Sequence, residues 1–278
     1  MKQKIHAFIQ LMRLDKPIGT LLLLWPTLWA LYLSNTPSIK HLIIFTLGVI
    51  VMRSAGCVIN DFADRKFDGH VERTKNRPLA VGKLTTKEAL MAFILLIILA
   101  VGLLLLLPPL TWLIACVAFV TTVIYPFLKR YIYMPQFILG IAFSWGIPMV
   151  YATTNNALPL SCWLLFIANI LWTIAYDTEY AMVDREDDIK IGVKSTALLF
   201  GRLDKWMIAL LQLLTLLILI FIGVLNDLSI IFYMMLVIAS LLFIYQHVLL
   251  RSRERMNCFK AFMNNNYVGL AIFLGLIL

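Results

Sequence analysis

The sequence predicts an all-α integral membrane protein with about nine transmembrane helices in a bundle. Three observations carry this expectation. Hydrophobic residues make up 62% of the 278 and charged residues only 14%, against about 25% charged in an ordinary soluble domain. The apolar residues come in runs of about 20, enough for a helix to cross a roughly 30 Å hydrocarbon core, and not in the short alternating segments of a membrane barrel. The basic residues also alternate. All 24 Lys and Arg except Lys40 and Arg53 lie before the first run or after the second, fourth, sixth and eighth, the bias expected of a multi-pass protein whose basic loops stay in the cytoplasm.

Residues 1–16 are polar and basic and lack the apolar core and small-residue cleavage site of a removable signal. Nine spans follow, near 17–34, 40–60, 88–107, 109–127, 132–152, 160–177, 205–225, 228–249 and 261–278. The first two enclose a short outer loop that holds Lys40. After the second comes a long basic loop with Arg65, Lys66, Arg73, Lys75, Arg77, Lys83 and Lys87. Pro108-Pro109 turns the third span into the fourth, which ends at Lys129 and Arg130. Asn155-Asn156 separates the fifth from the sixth, and a second charged loop, 178–204, follows the sixth. Asn226-Asp227 marks the turn between the seventh and eighth, since such residues favour turns. Arg251, Arg253 and Arg255 then read as solvated topology signals. The chain is expected to form one domain, residues 1–278, with its N-terminus and long loops cytoplasmic. A net charge of +9 distributed in this way argues against nucleic acid. Cys57, Cys116, Cys162 and Cys258 are scattered without metal-ligand or redox spacing and read as small apolar residues.

Ten of the 15 acidic residues sit in two stretches at cytoplasmic ends of even-numbered spans: Asn60-Asp61-x2-Asp64-x3-Asp68 with Glu72, and Asp177-x-Glu179-x4-Asp184-x-Glu186-Asp187-Asp188. At about 100° per residue, Asp61, Asp64 and Asp68 share one helix face, and Asp177, Asp184 and Asp188 share another. Carboxylates crowded this way repel unless cations lie between them. Asp and Asn oxygens without His or Cys suit a hard cation such as Mg²⁺, which commonly takes one or two carboxylates, water and substrate phosphate. Two such faces match a diphosphate bridged by metal, with Arg73, Arg77, Lys129, Arg130 and Lys194 as candidates for its outer oxygens. Asp64-x3-Asp68 and Asp184-x3-Asp188 are 120 residues apart and separated by four spans, which reads as a parallel pseudo-repeat. The plain alternative is a solvated helix cap. The density and symmetry of the two stretches argue against it.

These residues carry a family resemblance. The first stretch, continued by Arg73-Thr-x2-Arg77-Pro78-Leu79, resembles the first signature of the UbiA superfamily of membrane prenyltransferases. Tyr176-Asp177-x2-Tyr180-Ala181-x2-Asp184-x3-Asp188, with Gly192-x-Lys194-Ser195, resembles the second. Arg13-Leu-Asp15-Lys16-Pro17-Ile-Gly19-Thr20, Trp25-Pro26-Thr27 and Tyr125-Pro126-x2-Lys129-Arg130 are similar to the branch that prenylates 4-hydroxybenzoate. The resemblance implies a helical bundle around a central cavity that opens to the cytoplasmic leaflet. It implies Mg²⁺-dependent transfer of a polyprenyl group from polyprenyl diphosphate to the carbon ortho to a phenol, in ubiquinone synthesis, and a location in a bacterial inner membrane. It makes Asn60, Asp64, Asp184 and Asp188 the leading metal–diphosphate residues, with Asp61, Asp68 and Asp177 close behind; Asp64, Asp68, Asp184 and Asp188 are the expected catalytic set.

Neutralising the diphosphate would let the allylic C–O bond break, and apolar walls would keep water from the cation. The acceptor's carboxylate is expected at Arg130 first, with Arg13, Lys16 and Arg53 behind it. Arg53 stands inside a span, where a guanidinium needs a partner; Asp61, Asp64 or the carbonyls of another helix are the candidates. Gly69, Gly82 and Gly192 offer hinges by which loops 63–86 and 178–204 would close over the site. The tryptophans read chiefly as interface anchors and packing. Naphthoate- or haem-prenylating members are the alternatives within the family. A cation-coupled transporter is the rival outside it, though transporter acids usually lie near mid-membrane on broken helices.

Overall fold

The computed structural model describes residues 2–65, 69, 74–128 and 132–278. Every regular element among them is helical: α1 (Lys2–Leu11), α2 (Ile18–Ser34), α3 (Ile39–Asp64), α4 (Thr86–Leu104), α5 (Pro109–Leu128), α6 (Pro135–Ser144), α7 (Gly146–Asn155), α8 (Leu160–Ile191), α9 (Thr196–Phe200), α10 (Asp204–Leu225), α11 (Ile230–Leu249) and α12 (Arg255–Ile277). Each predicted run falls on one helix except 132–152, which α6 and α7 share. Six helical segments are long and apolar enough to cross a bilayer, and Ile18–Ser34 and Pro109–Ile124 are shorter apolar helices.

The chain punctuates itself with ordinary local chemistry. Ser38 caps α3, its hydroxyl accepting from the His41 amide at 3.2 Å. Thr85 and Glu88 form a reciprocal capping box at the start of α4, and Lys4 of α1 reaches the same Glu88 at 2.6 Å. The predicted turns at Asn156 and Asp227 take the left-handed conformation, with φ of 51° and 50°; short polar side chains tolerate it.

The span at 132–152 corresponds to one apolar segment, Pro135–Asn155, interrupted by a single turn residue at Trp145 between α6 and α7, where Pro148 withholds a backbone donor from the helix ladder. One sequence expectation is corrected. Segment 178–204 is mostly not a loop. Helix α8 runs on through its charged stretch to Ile191 and stops at Gly192, which adopts φ 71° and donates its amide to the Asp188 carbonyl. Hydropathy locates where lipid contact ends, and Asp, Glu and Arg continue a helix into water readily. The loop proposed to close from residue 178 is therefore a rigid helical extension up to Gly192.

Helix α8 is the core of the bundle. Trp172, Ala175, Thr178 and Glu179 are fully buried. Asn265 of α12 accepts from Trp172 Nε1 at 2.9 Å and donates to Glu179 at 2.8 Å, fixing the rotation of α8. The first span is held to the last: Trp29 Nε1 donates to the Gly269 carbonyl at 3.0 Å, and Trp25 Nε1 to Asn266 at 2.9 Å. Trp25, Trp29 and Trp172 thus serve packing, as expected of part of that set. The outward faces are apolar, as on α4, where Ile94, Leu95 and Ile98 are 56–61% exposed, which suits contact with lipid.

Candidate active site

A cavity of about 730 Å³ opens between α3 and α8, within the usual range for a small-molecule site. Helix α3 lends it Arg53, Asn60, Asp61 and Asp64. Helix α8 lends it Tyr176, Asp177, Tyr180, Asp184 and Asp188. Arg13 and Lys16 reach it from the turn after α1, Arg77 from the segment before α4, and Lys194 from the turn after α8. Asp68, Arg73, Lys129 and Arg130 lie outside the described residues. Every other sequence-predicted site residue lines this one cavity. The two helices present matching faces: Arg53, Asn60 and Asp64 stand at i, i+7 and i+11 on α3, as Asp177, Asp184 and Asp188 do on α8. Arg53 thus occupies the place in the first half that Asp177 takes in the second.

The charges are sorted within this wall. Asp61 is 1% exposed and accepts from Arg13 Nη2 at 2.9 Å on both oxygens and from Arg77 Nη1 at 3.0 Å. Its carboxylate serves two guanidinium groups, so Asp61 anchors Arg13 and Arg77. Arg53 is not paired with Asp61, whose partners are Arg13 and Arg77. Its guanidinium lies against Gly19, where an added Cβ would collide with it, and over the Phe143 ring, 5.5 Å from the centroid. Its Nε, buried, has no hydrogen-bond partner among the described residues. Lys194 Nζ sits 4.0 Å from the Tyr133 ring centroid.

The cytoplasmic overhang of α8 is fastened from the side. Asp204, fully buried, accepts from Arg185 Nη1 at 2.9 Å and Arg253 Nη2 at 2.6 Å. Arg255 reaches Glu186 at 3.0 Å and Asp187 at 3.3 Å. Arg253 and Arg255 are therefore structural ties and not only the topology signals that their positions suggest. The bond to Asp204 holds the Arg253 guanidinium protonated even more firmly than an ordinary arginine. Other lining residues escaped the sequence reading altogether, among them Gln136 and Phe143, single residues on an apolar run with no motif to mark them.

The donor set suits Mg²⁺. Asn60, Asp64, Asp177, Asp184 and Asp188 offer hard oxygens from two sides of the cavity. Among the described residues no three His, Cys, Asp or Glu side chains close into a ready-made cage, and Mg²⁺ typically completes its octahedron with water and substrate phosphate.

The sequence pattern described as the UbiA prenyltransferase family matches residues 23–268. Proteins described as 4-hydroxybenzoate octaprenyltransferase are similar along nearly the whole length. The protein from Aeromonas hydrophila is 56% identical, with 100% of this chain and 97% of that one covered. The protein from Photobacterium profundum is 58% identical, with 98% and 96% covered. Among solved structures, a UbiA homolog from Aeropyrum pernix superposes with a TM-score of 0.81 at 22% identity, over 93% of this chain and 96% of that one. A UbiA homolog from Archaeoglobus fulgidus, bound to GPP and Mg²⁺, superposes with a TM-score of 0.71 at 18% identity, over 98% and 100%. At those identities the likeness is one of fold.

Proposed function

The chain belongs to the UbiA prenyltransferase family, and from that premise we propose that it transfers a polyprenyl group from polyprenyl diphosphate to 4-hydroxybenzoate. The product is 3-polyprenyl-4-hydroxybenzoate, a precursor of ubiquinone. The observation that carries the reading is the cavity between α3 and α8, lined by carboxylates toward the cytoplasmic helix ends and by Arg53 further back on α3.

Asn60, Asp64, Asp184 and Asp188 are the residues we assign to Mg²⁺, with Asp177, and on sequence alone Asp68, as further candidates. Bound there, Mg²⁺ would neutralise the diphosphate and make it a competent leaving group. Lys194 and Arg77 line the same mouth and supply donors to the outer phosphate oxygens. The allylic C–O bond breaks, the diphosphate leaves with the electron pair, and the phenol's ortho carbon forms the new C–C bond. The ring proton then departs to an aspartate or to diphosphate. Ile18, Leu22 and Leu139 line the cavity with apolar surface, which keeps water from the allylic cation.

Depth orders the two substrates. Arg53 precedes Asp64 by 11 residues, about 16 Å along a helix at 1.5 Å per residue. A carboxylate held by Arg53 at the floor directs the phenol end of the acceptor upward, toward the diphosphate at the rim. Arg13, placed beside Arg53 in the sequence expectation, is committed to Asp61 and guards the entrance instead. The chain is an integral, multi-pass membrane protein; we place the cavity mouth and the N-terminus on the cytoplasmic side of the inner membrane, from the distribution of Lys and Arg.

The test is an assay in membranes with 4-hydroxybenzoate, a polyprenyl diphosphate and Mg²⁺, beside a 1,4-dihydroxy-2-naphthoate control. The prenylated benzoate is expected from the parent, and severe loss from Asp64→Ala and Asp184→Ala. Preferential prenylation of the naphthoate would overturn the acceptor assignment.

A further inference from the structure

We propose that Tyr176 is a specificity-determining residue, its hydroxyl joining Arg53 in binding the carboxylate of the aromatic acceptor. The inference rests on the function proposed above.

Tyr176 is 2% exposed, yet it lines the cavity. Its hydroxyl has no hydrogen-bond partner among the described residues. Thr173, one turn earlier, is near enough to act on the phenol, but neither hydroxyl has a partner in good hydrogen-bond geometry among the described residues. Burying a phenol in this way costs free energy unless something completes the bond. The ring itself is fixed: it meets Trp172 edge-on, with centroids 5.3 Å apart at 84°, and Phe262 at 6.2 Å. The sequence therefore holds a donor rigidly at the cavity wall and leaves it unsatisfied.

Its depth says which ligand atom it meets. Tyr176 precedes Asp184 by eight residues, about 12 Å, and Arg53 precedes Asn60 by seven, about 10 Å. Both groups lie below the acidic rim by similar amounts, on the two helices that face each other across the cavity. The diphosphate belongs to the rim with the aspartates. What reaches the floor is the far end of a para-substituted ring. Arg53 Nε–H and Tyr176 Oη–H are both donors, both buried and both unpaired, and an anionic carboxylate with two oxygens accepts from both. An acceptor without that group would strand two buried donors, which is how polar sites reject analogues strongly.

The decisive variant is Tyr176→Phe, which keeps the ring contacts and removes only the hydroxyl. In the full-length, membrane-reconstituted protein its KM for 4-hydroxybenzoate is expected to rise about 10- to 100-fold, the loss of a hydrogen bond to a charged group. The KM for polyprenyl diphosphate and the half-saturating Mg²⁺ concentration are expected to stay within about twofold. The parent's preference for the acid over its methyl ester is expected to shrink by a similar factor. An unchanged KM for the acid, or an equal loss toward both substrates, would overturn the role given to Tyr176 while leaving the prenyl-transfer reading intact. A parent protein that prenylates no carboxylated phenol would overturn both.

Discussion

Asp61 grips Arg13 with both carboxylate oxygens, each 2.9 Å from the same guanidinium nitrogen, in a place where the carboxylate is almost wholly shielded from water. Arg77 completes the cluster at 3.0 Å. The arrangement pins the turn after α1 and the segment before α4 to the end of α3, at the mouth of the site. Cutting a buried ion pair leaves an uncompensated charge and costs about 3–5 kcal/mol. Asp61→Ala should therefore lower the thermal stability of the purified protein clearly. Among correctly folded molecules the Mg²⁺ concentration for half-maximal rate should be unchanged. A raised Mg²⁺ requirement with unaltered stability would return Asp61 to the metal.

Asp184 should show the opposite split. Its carboxylate lines the cavity, and in Asp184→Asn an oxygen remains while a charge is lost. Half-maximal rate should then need about tenfold more Mg²⁺, equivalent to roughly 1.4 kcal/mol of ion affinity, with melting temperature little changed. A chelator should abolish product from the parent, and added Mg²⁺ should restore it. Product formation that survives thorough chelation would remove the metal from the mechanism.

Asp61 and Asp184, which line the same cavity, also show what the chain discloses before it folds. Spacing alone puts Asp177, Asp184 and Asp188 on one face, because a helix repeats every 3.6 residues, and that face does line the cavity. Spacing also groups Asp61 with Asp64, but it says nothing of Arg13, 48 residues away, which claims Asp61. Ion pairs across such distances are decided by packing. The same holds for Arg253 and Arg255, whose partners on α8 and at the start of α10 are brought near only by the bundle. The spans were legible because lipid imposes a length and a composition on every crossing helix. The end of α8 was not, since a helix in water needs no apolar run and its stop at Gly192 is a backbone signal.

The tie at Asp204 is predicted to serve α8. Asp204 carries two guanidinium partners while fully buried, and Arg185 sits one residue after Asp184. Asp204→Ala would strand Arg185 and Arg253 and loosen the extension that carries Asp184 and Asp188. Hydrogen exchange should quicken in residues 182–191, and activity should fall through kcat. Arg253→Lys, which keeps one charge and loses the fork geometry, should give a milder version of both effects. Unaltered exchange in that segment with activity lost would point to a direct role for Asp204 in the chemistry.

Gly19 tests the floor of the site without replacing any charged residue. A methyl group there would collide with the Arg53 guanidinium, whose Nε would stand 2.7 Å away. The obstructing atoms are the far end of a flexible side chain, so the chain relieves the clash by moving Arg53 and not by unfolding. Gly19→Ala should keep near-parental stability and raise the KM for the aromatic acid at least several-fold, with the polyprenyl diphosphate KM little affected. Gly269→Ala is the matched control. There the collision is with the Trp25 ring between α2 and α12, where relief means parting two packed helices, and the expected loss is stability. If Gly19→Ala instead destabilised the protein and left acceptor affinity alone, Arg53 would be a structural tie between α2 and α3, and the acceptor's carboxylate would have to be held elsewhere.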